Sequence, residues 1–411
     1  MTQQRITVTM AVVALVLALA AWAARDNLRV PPALAERGER LFPALTDVKA
    51  IGSLEVVEYD ERTGTVVPFK VQNRNGRWTI PSEHEYPADA VARVAQVMAN
   101  LSGLRKDDIA SDSPADFERE GVLDPLDSTL PSVKGRGTRV TLRDARGTVT
   151  ADLIIGRIVE SRAQFRYVRR PDSNRTYISN VGNLQLSTAF SDWIQSDLLG
   201  VGNDEVNAIS VRTYAVDRNE GSISTVGTIL LEQTGRGGWR VNSIAADNAA
   251  VDALLTNLAG LRIVGVIPKP PAVADTLRRD AAQAQITSDD RRDLARRGFF
   301  LSPGGQLVST RGEMVLRTAR GLYYSLRIGE LAPAGEVREK SDSAAQVHEH
   351  RYLFITVNFD PAAARTEAMR DEGMRAAAVL RERFAAWYYI VDADGLSNLL
   401  VGLDAIAKRE P

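Results

Sequence analysis

Imidazole is scarce in this chain, and two of its three histidines stand one residue apart in His348-Glu349-His350. On a strand, alternate side chains face the same way, so both rings could reach one metal ion. No third ligand lies close by in sequence. The surrounding stretch, Glu330 to His350, is charged and reads as a surface excursion. A solvated loop is therefore preferred over a metal centre, and no metal ligand is assigned. His84, between Glu83 and Glu85 and ahead of Pro87, reads as a surface turn and not a general base. Asp107-Asp108 and Asp289-Asp290 are neighbours along the chain, so their carboxylates diverge on regular structure and read as helix caps or solvated charge. Asp392-Ala393-Asp394-Gly395 opens like a calcium loop but lacks the later glutamate, which leaves a turn. Gly135-Arg136-Gly137 lacks the further glycine and the helix that a phosphate loop needs, and no Gly-x-Ser-x-Gly elbow occurs. There is no cysteine, so disulfides, thiolate metal sites and thiol catalysis are excluded. No catalytic, cofactor-binding or metal-ligating residue is assigned, and the chain is read as a non-enzyme.

The elements that would position any site repeat. Leu101-Ser102-Gly103-Leu104-Arg105 returns as Leu258-Ala259-Gly260-Leu261-Arg262. Val140-Thr141-Leu142-Arg143 leads through Ala145-Arg146-Gly147 to Ile155-Gly156. Val315-Leu316-Arg317 leads through Ala319-Arg320-Gly321 to Ile328-Gly329. Gly76-Arg77-Trp78 and Gly238-Trp239 each turn into a strand. In the first copy, Ile51 to Val57 and Val66 to Val71 read as strands. Asn73 to Gly76 is a hairpin turn, because Asn and Gly accept positive φ, and Trp78 to Ile80 is the return. A helix opening at Pro87 places Val91, Val94, Met98 and Leu101 on one stripe. In the second copy, Asp247 or Asn248 caps a helix carrying Val251, Leu254, Leu255, Leu258 and Leu261. A meander comes after each helix: Arg139 to Leu142, Val149 to Ile155, Phe165 to Arg169 and Thr176 to Ser179 in the first copy, then Met314 to Arg317, Leu322 to Ile328 and Arg351 to Val357 in the second. Pro268-Lys269-Pro270-Pro271 reads as a connector. Pro361 to Arg383 reads as a helix, and Trp387 to Val391 as a strand completing a sheet edge, its aromatic residues in the core.

Residues Ile6 to Ala24 form a 19-residue run without charge, flanked by Arg5 and Arg25. At a helical rise this spans roughly 28 Å, about one hydrocarbon thickness. Trp22 near its end suits the membrane interface. A signal anchor is preferred over a cleaved leader, for which Ala21-Trp22-Ala23 would supply a small-x-small site. Export of the chain beyond the span, with a polar stalk from Asn27 to Arg40, is the expectation.

Length suggests two or three domains. The apolar share of 44% and charged share of 25% are those of folded protein, and 51 basic residues against 52 acidic ones offer no basic surface for nucleic acid. The expected class is α+β: a tandem duplication of antiparallel-sheet-plus-helix units behind one transmembrane helix. The expected division is residues 1–40 as anchor and stalk, 41–200 as the first unit and 201–411 as the second.

The ordered appearance of the N-terminal span, Leu41-Phe42-Pro43, Gly76-Arg77-Trp78, Tyr86-Pro87-Ala88-Asp89, Gly121 to Pro125, Leu153 to Gly156 and Arg383 to Tyr389 resembles the bacterial family called domain of unknown function 4340. The second half departs from its pattern, with Ala246-Asp247-Asn248 where Tyr-Pro-Ala-Asp would stand. The resemblance implies an exported, membrane-anchored protein linked to ABC-type export or gliding-motility transporters, and it carries over no catalytic residue. The expected function is thus a non-enzymatic accessory or scaffold of the cell inner membrane. It would be single-pass, held in the bilayer through residues 6–24, with the bulk extracytoplasmic and an ABC-type transporter or envelope protein as partner. No cofactor and no nucleic acid is expected. The alternative is an envelope ligand-binding or hydrolytic enzyme acting on glycan or peptide, with a site between the halves.

Overall fold

In a computed structural model, the residues described are 13–19, 36–195, 197–217, 222–235, 237–279, 286–302, 305–337, 349–400 and 402–408. Most of the expected span at 6–24 lies outside them. Residues 13–19 are helical, and among the described residues no helix is long and apolar enough to cross a membrane. His348 also lies outside the described residues.

The architecture is mixed, with two large antiparallel sheets and several helices. The first set of strands is β1 (Ile51–Asp60), β2 (Thr65–Arg74), β3 (Arg77–Ile80), β4 (Tyr86–Pro87), β5 (Asp108–Ser111), β6 (Thr138–Asp144), β7 (Val149–Val159), β8 (Arg162–Arg169) and β9 (Thr176–Asn180). Its sheet order is β4-β3-β2-β1-β6-β7-β8-β9-β5. Helix α1 (Val91–Gly103) precedes β5, and the short α2 (Phe117–Glu120) precedes β6. The turn from β2 to β3 forms where expected: Asn75 and Gly76 take φ of 54° and 83°, and the Asn73 side chain accepts the Gly76 N–H at 2.9 Å. Helix α1 starts at Val91, not Pro87, which sits in β4. Its buried stripe is Val94, Val97, Met98 and Leu101.

The second set is β10 (Val206–Asp217), β11 (Ser222–Gln233), β12 (Trp239–Val241), β13 (Ile244–Ala245), α3 (Asn248–Ala259), β14 (Ile263–Pro268), α4 (Pro271–Arg279) and α5 (Ser288–Arg296). Then come the ribbon β15 (Phe299–Leu301) and β16 (Leu307–Ser309), followed by β17 (Gly312–Thr318), β18 (Leu322–Leu331), β19 (His350–Phe359), α6 (Glu367–Ala385) and β20 (Trp387–Asp392). This sheet runs β13-β12-β11-β10-β17-β18-β19-β20-β14. Replacing β1–β5 by β10–β14 and β6–β9 by β17–β20 converts the first order into the second. Irregularities correspond as well. The β1–β6 register shifts between Ile51 and Ser53, and the β10–β17 register between Val206 and Ala208. The β7–β8 register shifts between Ile155 and Ile158, and the β18–β19 register between Ile328 and Leu331. Strand β20 does not complete an edge: it lies between β19 and β14. Its continuous burial from Tyr388 to Val391 fits an interior strand.

Two compact units divide the chain. One joins residues up to Pro68 with Val94–Leu186, and the other joins Phe69–Arg93 with Ser187 onward. Phe117, Val122, Leu123 and Ile154 form a core cluster in the first. In the second, Leu294, Phe299, Tyr352, Phe354, Tyr388 and Ile390 cluster, with Phe299 stacked on Tyr388 at 5.8 Å. The borders of the second sheet are covered. A helical turn at Phe190–Trp193 packs on β14. Beside β13, Lys408 N–H donates to Ala245 O at 3.1 Å, and Asp247 N–H to Ile406 O at 2.8 Å.

Candidate functional site

A cavity of about 350 Å³ in the first unit opens where α2, the start of β6 and the bulge of β7 meet. Glycine floors it. Gly121 takes φ 74° and ends α2, and a Cβ on Gly156 would stand 2.4 Å from Glu120 O and 2.7 Å from Val122 Cγ1. The backbone of α2 can approach the sheet this closely only because Gly156 has no side chain. Gly135-Arg136-Gly137 bonds to groups of its own unit. Leu123 N–H donates to Gly135 O, and Gly137 N–H to Leu123 O. The Arg136 guanidinium is spent on the carbonyls of Ser132, Asp124, Asp127 and Leu130 and stacks on Tyr59 at 4.5 Å. Arg139 ties the same region down through Asp124 at 2.8 Å and Asp152 at 2.7 Å.

Two further arginines line the cleft and are less engaged. Arg157 Nη1 donates to Arg119 O at 3.3 Å, and Arg166 Nη1 to Gly156 O at 3.2 Å. Glu58 and Glu61 supply negative charge, with Glu61 accepting the Gly135 N–H at 3.1 Å. The arrangement can bind an oxyanion through guanidinium N–H groups. Among the described residues its lining includes no histidine to act as a base.

The second unit also buries charge. Glu313 sits between Arg212, at 2.6 Å, and Arg327, at 3.1 Å, and Arg327 also donates to Leu307 O and Thr356 Oγ1. A cavity of about 140 Å³ adjoins Arg327 and Thr356. Lys269 is enclosed without a carboxylate. Its ammonium donates to Phe384 O at 2.9 Å and lies 3.9 Å from the Phe354 ring centroid. Burial pushes its pKa well below the usual lysine value. In the first unit Glu120 is buried, and burial pushes its carboxyl pKa upward.

The residues weighed from sequence fall in separate places. His350 opens β19 opposite Asp392. His84 is exposed, with φ 55° at the end of a helical turn. Asp290 caps α5 with Thr287, and Asp392 caps the helical turn Ala393–Ser397. Asp107 accepts the Asn180 N–H, and Asp108 pairs loosely with Arg37. Among the described residues, no three His, Asp or Glu side chains are grouped to hold a metal ion. Sequence reasoning passed over Arg157, Arg166 and Lys269. The one local hint for the arginines was the glycine immediately before Arg157, since a glycine inside a strand pattern marks a bulge.

No curated protein and no solved structure matches the chain. A family match does exist, and it runs from the return strand at Trp78 through the glycine-floored cleft to the residues just past α4. By that match, over residues 78–281, the chain belongs to the family described as Domain of unknown function (DUF4340).

Proposed function

We propose that the chain is a tandem duplication of one antiparallel-sheet-plus-helix unit, anchored by a transmembrane segment at residues 6–24, and that it serves outside the cytoplasm as a non-enzymatic accessory or scaffold. The observation that carries this is the common strand order of the two nine-stranded sheets, bulges included. A repeated frame multiplies surface, whereas one reaction needs one constellation. The use of buried charge agrees. Glu313, Arg327 and Lys269 are each bound to groups of their own unit, which suits packing more than turnover. The partner is an ABC-type transporter or another envelope protein, as the family resemblance implies.

Membranes from cells carrying the full chain with a C-terminal tag are washed in carbonate and solubilised in mild detergent before affinity capture. The chain is expected to stay in the washed membranes and to elute with subunits of a transporter in fixed ratio. Release by carbonate, with elution of the chain alone, would overturn the reading.

A further inference from the structure

One position is built identically in both units and filled with opposite charge. The β7–β8 slip holds Gly156-Arg157, and the β18–β19 slip holds Gly329-Glu330. In each, a left-handed glycine at a helix end makes the seat. A Cβ on Gly121 would stand 2.7 Å from Arg157 Cγ, and one on Gly298 would stand 2.7 Å from Glu330 N and 2.9 Å from its Cγ. An arginine of the next strand clamps the slipped glycine: Arg166 Nη1 donates to Gly156 O at 3.2 Å, and Arg351 Nη1 to Gly329 O at 3.3 Å. The clamp is therefore part of the shared frame. The occupant of the seat is what distinguishes the first unit.

Arg157 and Arg166 both line the 350 Å³ cleft. Each commits only Nη1, so the Nε–Nη2 edges of both guanidinium groups have no partner among the described residues. That edge is the fork that receives a carboxylate with two parallel hydrogen bonds. Ile155, Val181, Leu184 and Leu186 supply the apolar wall of the same cleft. Glu58 and Glu61, on the same rim, repel a doubly charged anion more than a singly charged one, which disfavours phosphate. We propose that the first unit's cleft binds a monocarboxylate with a short aliphatic body, its carboxylate on Arg157 and Arg166 and its chain on the apolar wall.

The test titrates hexanoate, hexylamine and inorganic phosphate into the full chain held in amphipol, against amphipol alone, by calorimetry. The variants are Arg157→Glu, which copies the second unit's residue, and Arg157→Lys, which keeps the charge without the fork. Arg157 is exposed, so both variants are expected to keep the wild-type unfolding curve. Hexanoate is expected to bind the wild type saturably, to lose roughly tenfold or more in affinity in Arg157→Glu, and to fall between the two in Arg157→Lys. Hexylamine and phosphate are expected to bind neither. Failure of hexanoate to bind the wild type, equal binding by Arg157→Glu, or tighter binding of phosphate than of hexanoate would each overturn the assignment.

Discussion

Replacing Lys269 by methionine is expected to stabilise the second unit. The ammonium has two compensations, a charge-assisted hydrogen bond to Phe384 O and the faces of Phe354 and Tyr388 at 3.9 and 5.5 Å. The hydrogen bond contributes roughly 1.5–3 kcal/mol and a desolvated cation–π contact about 2 kcal/mol. Against them stands the removal of an ion from water, which costs several kcal/mol even after relaxation, with no carboxylate to offset it. Methionine fills similar volume and suits a ring-lined site. Phe384 O keeps a donor, the Ala386 N–H, and the Lys269 N–H to Ala386 O bond is main chain and survives. The net gain is expected at about 1–3 kcal/mol near pH 7, the scale found when buried ions give way to apolar groups. Linkage gives the sign of the pH dependence. The folded pKa lies below the unfolded value of 10.5, so between the two the unfolded chain binds the extra proton and wild-type stability rises with pH. The advantage of Lys269→Met is therefore largest at the low end of that window and closes toward pH 10.5. Trp78, Trp193, Trp239 and Trp387 all belong to the same compact unit as Lys269, so urea unfolding monitored by tryptophan fluorescence reads it directly. A variant less stable than wild type at pH 7, or a gap unchanged between pH 7 and pH 10, would refute the reasoning.

Gly329→Ala places a Cβ against Arg297 O, the acceptor of the Glu330 N–H, and is expected to cost about 1–3 kcal/mol or more in the same assay. Gly335→Ala, with nothing within 4 Å of the added carbon, should stay within roughly 0.5 kcal/mol of wild type. Glu313→Gln leaves the buried Arg327 without its counter-ion and should cost about 3–5 kcal/mol. Glu120→Gln should gain on wild type as pH rises above 4.5, because a carboxyl with a raised folded pKa loses stability through that interval. Hydrogen exchange over residues 117–123 at pH 4 and pH 7 measures it, and equal differences at the two pH values would count against the account.

The strands were legible because their periodicity is local. Val140 and Leu142 are buried on β6, and the stripe of α1 returns on α3 as Val251, Leu254, Leu255 and Leu258. Strand order was not legible at β20, since a strong strand signal says nothing about which neighbours flank it, and β14 reaches its free side from a distant part of the chain. Lys269 sat in a proline-rich stretch that reads as an exposed connector. Lysine is seldom enclosed, and the tertiary approach of β19, α6 and β20 encloses this one. The cleft arginines escaped notice for a related reason. A bulge re-aims a side chain by one slip in register, and that slip leaves almost no trace in hydrophobic pattern.

The covered borders of the second sheet bear on how the chain behaves when crowded. Unpaired ladder groups along a sheet rim invite strands from other molecules, and proteins blunt such rims with coils or turns. Here Ile406 and Lys408 occupy the backbone groups beside β13, while the turn at Phe190–Trp193 overlies β14. Stripping the residues after Gly402 would bare one rim while sparing every interior strand, and is expected to favour self-templated polymerisation.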